Sequence, residues 1–250
     1  MNRTGSSPYV VATLHPWSSL VFVLPFLLAY EGGVLWLSSA QPDALRNGAD
    51  TWMRWALDSL GLSQLYWPPA ILAVFLVGWG LLRRRDRPRD LVGLWIGMTV
   101  ESVVFALGLW GISRELMPLL DGLGIKLDAR AEPVEPALEQ VISFLGAGIY
   151  EEVLFRLLLF SGLVWLLRSA NVPRLLAQGM AALTSATVFS TAHHLGPYGE
   201  EFNNYVFLFR TVAGLYFTLV YQLRGFGITV GAHAFYDVLV GVVVPAFDHG

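Results

Sequence analysis

Residues Val141 to Leu167 read VISFLGAGIYEEVLFRLLLFSGLVWLL. As a helix the run exceeds the ~20 apolar residues needed to cross ~30 Å of hydrocarbon, yet it holds three ionisable groups, Glu151, Glu152 and Arg156. A charge at bilayer depth costs ~2.5–3.5 kcal/mol on insertion scales, so it persists where it has a partner, a wet cavity or a task. This one stretch therefore predicts both a membrane-crossing fold and the place where chemistry is done.

Composition extends that reading outward. Of the 250 residues, 55% are hydrophobic and 14% charged, with a mean hydropathy of +0.55, whereas soluble domains carry ~25% charged residues. Runs near Trp17–Ser38, Tyr66–Leu82, Leu91–Ile112, Val141–Leu167, Leu175–His193, Asn204–Leu223 and Phe226–Phe247 predict an all-α, polytopic transmembrane helix bundle of about seven spans. The first run is longer than the ~7–15-residue apolar core of a cleavable signal and reads as a retained span. No internal repeat is evident, so residues 1–250 are expected to form a single membrane-embedded domain, with its motif-bearing core at about 137–247. A net charge of −3 offers no basic footprint for nucleic acid. With no cysteine, disulfides, thiolate metal sites and cysteine nucleophiles are excluded.

Arg83, Arg84, Arg85, Arg87 and Arg89 crowd the second connection, Arg168 and Arg174 flank the fourth, and Arg224 lies in the sixth. The excess of arginine on these connections assigns them to the cytoplasm, with the N-terminus inside and the C-terminus outside. The acids, among them Asp43, Asp128, Glu132 and Glu135, fall on the odd connections. Lys126 is the single lysine among sixteen cationic residues, a bias typical of GC-rich coding and without bearing on function; the expected location is a bacterial inner (plasma) membrane. Between the first two spans, Asp43 to Leu60 spaces Leu45, Trp52, Trp55, Ala56 and Leu60 helically among charges. It predicts an amphipathic helix lying in the interface, apolar face down. An external loop with a short surface helix is expected around Met117 to Pro136.

The polar groups of the C-terminal half form pairs. Residues four apart share a helical face, so Glu152 meets Arg156 with the acid N-terminal to the base, the better order. Glu151, turned ~100° away, lacks that partner and suits a general base. Phe189 with His193, and His233 with Asp237, repeat the spacing. A carboxylate behind a histidine fixes its tautomer, and imidazoles beside a glutamate can hold water, hold a metal or move protons.

Glu151-Glu152-x-x-x-Arg156, Phe189-x-x-x-His193 and His233-x-x-x-Asp237, in that order, resemble the three motifs of the CPBP family, also called Abi or CAAX-protease-like. Its members are intramembrane endopeptidases related to the eukaryotic Ras-converting CAAX protease. The resemblance implies Glu151 as the base that activates water and His193 as a holder of that water. It implies Glu152, Arg156 and Phe189 as supporting residues, and His233 with Asp237 as stabilisers of the oxyanion. Asparagine often stands in the family at the place of Asp237. An ionised aspartate cannot donate to an oxyanion as an amide can, so Asp237 is expected to orient His233, and His233 to donate.

The resulting expectation is a glutamate-dependent intramembrane endopeptidase without a cofactor, acting on a membrane-associated or lipid-anchored protein or peptide. Zinc held by Glu151, His193, His233 and Asp237 is the metal-dependent alternative, since two imidazoles and two carboxylates suit it. H-E-x-x-H is absent, which removes the zinc arrangement of that motif. The non-enzymatic alternative is a proton-coupled transporter or a peptide-immunity binding protein, although a transporter would show matching repeated halves. Glu31, Glu101 and Arg210, also in apolar runs, are expected to be paired charges, since buried charges survive by compensation; the functional alternative is that Glu101 or Glu31 lines the substrate path or polarises the site. One spacing resists a simple bundle. His193 lies nineteen residues past Arg174, ~28 Å along a helix, while His233 follows Arg224 by only nine, so the spans must tilt, break or start at unequal depths.

Overall fold

The computed structural model describes residues 8–37, 45–62, 67–84, 88–127, 138–196 and 199–248, and among them every regular element is helical. In chain order these are α1 (Pro8–Thr13), α2 (Pro16–Leu37), α3 (Gly48–Asp58), α4 (Trp67–Leu82), α5 (Leu91–Gly122), α6 (Leu138–Glu151), a π-helical segment Glu152–Phe160, α7 (Ser161–Ser169), α8 (Arg174–Ala192), α9 (Asn204–Arg224), α10 (Phe226–Val238), a second π segment Leu239–Val243 and α11 (Val244–Asp248). Arg85 and Arg87, with Asp43, Asp128, Glu132 and Glu135, lie outside the described residues.

Among the described residues five helices are long and apolar enough to cross a membrane: α2, α5, α8, α9 and the run Phe226–Ala246 that α10 begins. α4 is apolar but shorter. The run Val141–Leu167 is not a uniform α-helix. It comprises α6, the first π segment and α7 in direct succession, and the helix widens at Glu152, next to the charged residues. Such π segments occur preferentially at functional positions. α5 continues past the expected end at Ile112 to Gly122, taking in Pro118. Its 32 residues span ~48 Å, so the expected loop around Met117 is helical as far as Gly122, and residues 123–127 leave the helix through a turn.

Large apolar side chains such as Leu28, Val74, Val92 and Leu175 point outward, as a lipid solvent permits. Inside, α10 is buried on every side from Phe226 to Ala234. Small residues let it sit there. A Cβ on Gly148 of α6 would stand 2.8 Å from Ala234 Cβ and 2.9 Å from the Val230 carbonyl, and one on Gly231 would meet Ser102 of α5 and Phe22 of α2. Close approach through small residues is how helices associate without a hydrophobic drive between them.

The turn into α10 resolves the spacing of the histidines. Gly225 takes φ +84°, a left-handed turn that favours glycine. Next to it Arg224 donates from Nε and Nη2, one edge of its guanidinium, to the two carboxylate oxygens of Glu101, ten residues or ~15 Å along α5. α10 therefore starts inside the bundle, and nine residues suffice to bring His233 level with His193.

The remaining charges pair, but not with one another. Glu101 takes Arg224 and the Tyr9 hydroxyl. Arg210 takes Glu200 at 2.7 and 2.8 Å. Glu31 faces Arg46 and Arg54 at 3.4 and 3.3 Å and accepts from the Tyr150 hydroxyl at 2.6 Å. That last network alters the expected role of α3. Asp50, fully buried, binds Arg46 at 2.7 Å, Arg54 at 2.8 Å and the Tyr30 hydroxyl at 2.9 Å, so α3 docks its charged face on α2 and α6. Trp55 is left exposed. The helix begins at Gly48 because Asn47 caps it, its Oδ1 accepting from Ala49 N–H at 2.8 Å.

Candidate active site

Glu151 is the last residue of α6 and Glu152 the first of the π segment, and both are buried. Buried carboxylates need partners, and Glu152 has two on one oxygen. Its Oε1 lies 2.9 Å from Arg156 Nη1 and 2.7 Å from His233 Nδ1. Arg156, wholly buried, also donates from Nη2 to the Gly214 carbonyl at 3.2 Å. Its guanidinium lies 4.6 Å from the centre of the Phe189 ring, a cation–π contact that strengthens where water is excluded.

Phe189 links the polar groups. Its ring stands edge-on to His193 at 4.9 Å, to Phe155 at 5.3 Å and to His233 at 6.0 Å. On its other face His233 stacks on Phe217, 4.4 Å between centroids and 18° between planes. With Nδ1 bound to Glu152 and the ring plane set by Phe217, Nε2 of His233 has one direction to face. It lies 3.4 Å from Asp237 Oδ2 and 3.7 Å from Glu151 Oε2.

His193 follows α8 and caps it. Its Nδ1 is 2.9 Å from the Phe189 carbonyl, which can only accept, so Nδ1 carries the proton and Nε2 presents a lone pair. That Nε2 is 3.9 Å from Glu151 Oε2. The two glutamate oxygens thus differ. Oε1 accepts from Asn47 Nδ2 at 2.9 Å, while Oε2 is buried without a hydrogen-bond partner among the described residues and faces both imidazole Nε2 atoms. Separations of 3.7 and 3.9 Å are too long for direct hydrogen bonds and short enough for one shared water.

Glu151, His193, His233 and Asp237 border a cavity of about 360 Å³ together with Asn47, Glu200 and Arg210, within the ~300–1,000 Å³ range of ligand sites. Phe144, Phe209 and Val240 supply apolar wall. Asn47 precedes α3 and Glu200 precedes α9, so the cavity lies toward the end of the bundle that carries the first and fifth connections. His194 stays out of it, with Nδ1 3.2 Å from the Glu200 carbonyl.

Every residue singled out from the three motifs lies in this cluster, but one expected role changes hands. Asp237 does not stand behind His233 to fix its tautomer. Glu152 occupies Nδ1, and Asp237, one helical turn after His233, can reach only the Nε2 side. Asn47 went unread: an Asn before a helical run signals a cap, but nothing in the local sequence says that its amide reaches residue 151. Arg210 and Glu200 were likewise not assigned to the cavity. Among the described residues no group of three or more His, Asp or Glu side chains has the arrangement of a metal site.

Residues 133–239 match the family model described as Rce1-like: Type II CAAX prenyl endopeptidase Rce1-like. No curated protein and no solved structure matches the chain.

Proposed function

We propose that this chain, an integral membrane protein with multiple spans that carries a domain of the Rce1-like type II CAAX prenyl endopeptidase family and is by that family a protease, cuts a peptide bond of a membrane-associated or lipid-anchored protein or peptide by glutamate-activated water. The observation that carries the reading is the buried Oε2 of Glu151, unbonded among the described residues and facing two imidazole nitrogens at 3.7 and 3.9 Å.

A water in that gap gives one hydrogen to Glu151 Oε2 and the other to His193 Nε2, so a lone pair faces the cavity. Glu151 takes the proton as hydroxide attacks the scissile carbonyl. His233 as imidazolium keeps Nδ1 on Glu152 and donates from Nε2 to the new oxyanion, where a fixed donor is worth most because water is scarce. The C–N bond then breaks, and Glu151 returns its proton to the leaving amine. Asp237 beside Nε2 supports the positive imidazole. Hydrolysis consumes one water and needs no cofactor. A helical substrate must unwind first, since its peptide carbonyls are engaged in its own hydrogen bonds.

Seven crossings complete the reading: the five long helices, α4 and the composite Leu138–Ser169. With the arginine-rich connections in the cytoplasm, the N-terminus is inside, the C-terminus outside, and the cavity lies toward the outer side of a bacterial plasma membrane.

The test is cleavage of membrane-anchored peptides by the purified protein in lipid vesicles, wild type against Glu151→Gln, with and without a chelator. Glutamine still accepts from Asn47 but cannot take a proton, so kcat should fall by about 10²–10⁴ with the melting temperature kept, and the chelator should change nothing. A Glu151→Gln enzyme that cuts at the wild-type rate would overturn the assignment of the base. Chelator-sensitive cleavage restored by zinc would replace the mechanism with a metal one.

A further inference from the structure

The family match begins at residue 133, yet one contact to the base comes from far outside it. Asn47 is anchored three times. Its backbone N–H donates to the Tyr30 hydroxyl at 3.2 Å, its Oδ1 accepts from Ala49 N–H at 2.8 Å, and its Nδ2 donates to Glu151 Oε1 at 2.9 Å. Because Oδ1 is committed as the helix cap, the amide has one orientation, and Nδ2 must be the atom aimed at Glu151. Behind it the segment is held rigidly by Arg46, Asp50, Arg54 and Glu31, and by Tyr150, the residue next to Glu151, which donates to Glu31.

We infer that Asn47 is a positioning residue for the base, and that the segment 45–58, outside the family-matched residues, is a working part of the active site. Its amide takes one carboxylate oxygen of Glu151, which fixes the carboxylate plane and leaves Oε2 as the single basic atom, turned toward His193 and His233. A carboxylate without that tether could rotate about its terminal torsion, which is broad and poorly restrained in glutamate, and point Oε2 away from the water. Helix α3 is therefore more than an interfacial anchor. Its charged face, docked on α2 and α6, carries the positional information that reaches Glu151 through one hydrogen bond.

The inference rests on Glu151 being the base, and Asn47→Asp separates the two ideas. Aspartate caps helices as well as asparagine, so α3 should persist and the melting temperature should hold. It cannot donate to Glu151 when ionised, and it puts a second carboxyl group beside the first, a like-charge pair that holds a proton between its members. In the vesicle assay kcat should fall about 10- to 100-fold, the range of one charge-assisted hydrogen bond, with KM nearly unchanged and the acidic limb of the rate profile moved to higher pH. Asn47→Ala should lose activity to a similar degree and stability as well, since it removes cap and donor together.

A readout that needs no turnover is the infrared band of protonated carboxyl groups at neutral pH. Asn47→Asp should add such a band to the wild-type spectrum, and Asn47→Asp/Glu151→Gln should lose it. If Asn47→Asp cuts like wild type while Glu151→Gln is dead, the base stands and the positioning role falls. The role falls equally if the added band is missing, or if Glu151→Gln leaves it in place.

Discussion

Glu152 Oε1 lies 2.7 Å from Nδ1 of His233, and the same oxygen lies 2.9 Å from Arg156. Adjacent glutamates therefore address opposite edges of one imidazole, Glu152 at Nδ1 and Glu151 at Nε2. In the proposed mechanism this division makes Glu152 the partner of Arg156 and of His233 Nδ1, and Glu151 the base.

Glu152→Gln is expected to harm stability and catalysis together. It leaves Arg156, wholly buried, without its counter-charge, and breaking a buried pair by removing one partner costs ~3–5 kcal/mol. Arg156→Met in the same chain should restore much of the melting temperature and none of the activity, because the amide oxygen at position 152 can still accept from His233 Nδ1 but no longer supplies the negative charge that supports the imidazolium. Thermal melts over the full double-mutant cycle measure the coupling. If the double variant melts no higher than Glu152→Gln alone, the pair does not account for the loss.

Asp237→Asn should be far milder. Asp237 sits 3.4 Å from Nε2 of His233 and does not touch Nδ1, and an amide there can itself donate to an oxyanion. Cleavage within about tenfold of wild type is the expected outcome, the size of one ordinary hydrogen bond. A loss as large as that of Glu152→Gln would return the tautomer-fixing role to Asp237.

The five helices long and apolar enough to cross a membrane were legible because each is a long apolar run, and the four-residue spacings showed which polar side chains share a face. Which carboxylate reaches which imidazole nitrogen was not legible. That depends on the widening of the helix at Glu152, on the depth at which Gly225 lets α10 begin, and on the stacking of His233 over Phe217, all set by contacts between helices remote in sequence. Asn47 escaped for the same reason. Its capping role is local, whereas its bond to Glu151 spans 104 positions. The helix Gly48–Asp58 was found by its pattern, but the pattern does not reveal that its charges form a buried network with Glu31.

At the cavity rim, burial works against the Glu200 charge, but the paired bonds from Arg210 outweigh it and hold the Glu200 carboxyl below its ordinary value of 4.5. A depressed carboxylate stabilises the fold fully above its ordinary value and loses that contribution as pH falls through the folded one. The pair is half exposed, so its worth is ~0.2–1 kcal/mol, at most about 4 °C in melting temperature. Glu200→Gln should thus melt slightly below wild type at neutral pH, and the gap should close once the medium is more acidic than the ordinary carboxylate range. A gap that widens on acidification would contradict the pairing.

Two glycines of the run Val141–Leu167 provide a matched test of how packing sets the site. A Cβ at Gly148 would stand 2.8 Å from Ala234 Cβ and 2.9 Å from both the Ala234 nitrogen and the Val230 carbonyl, while one at Gly162 would meet nothing within 4 Å. The obstacles at Gly148 are mostly backbone and cannot rotate aside, so Gly148→Ala must push α6 from α10 and part Glu151 from His233. Overpacking of this kind costs ~1–3 kcal/mol, and because reacting groups misplaced by ~1 Å can lose ~10²-fold in rate, activity should fall more steeply than stability. Gly162→Ala should be neutral or slightly stabilising, since alanine is favoured over glycine inside a helix by up to ~1 kcal/mol, and it should leave cleavage untouched. Parallel melts and rates for the two variants decide the matter: equal effects at both positions would mean that the approach of α6 to α10 does not govern the distance between Glu151 and His233.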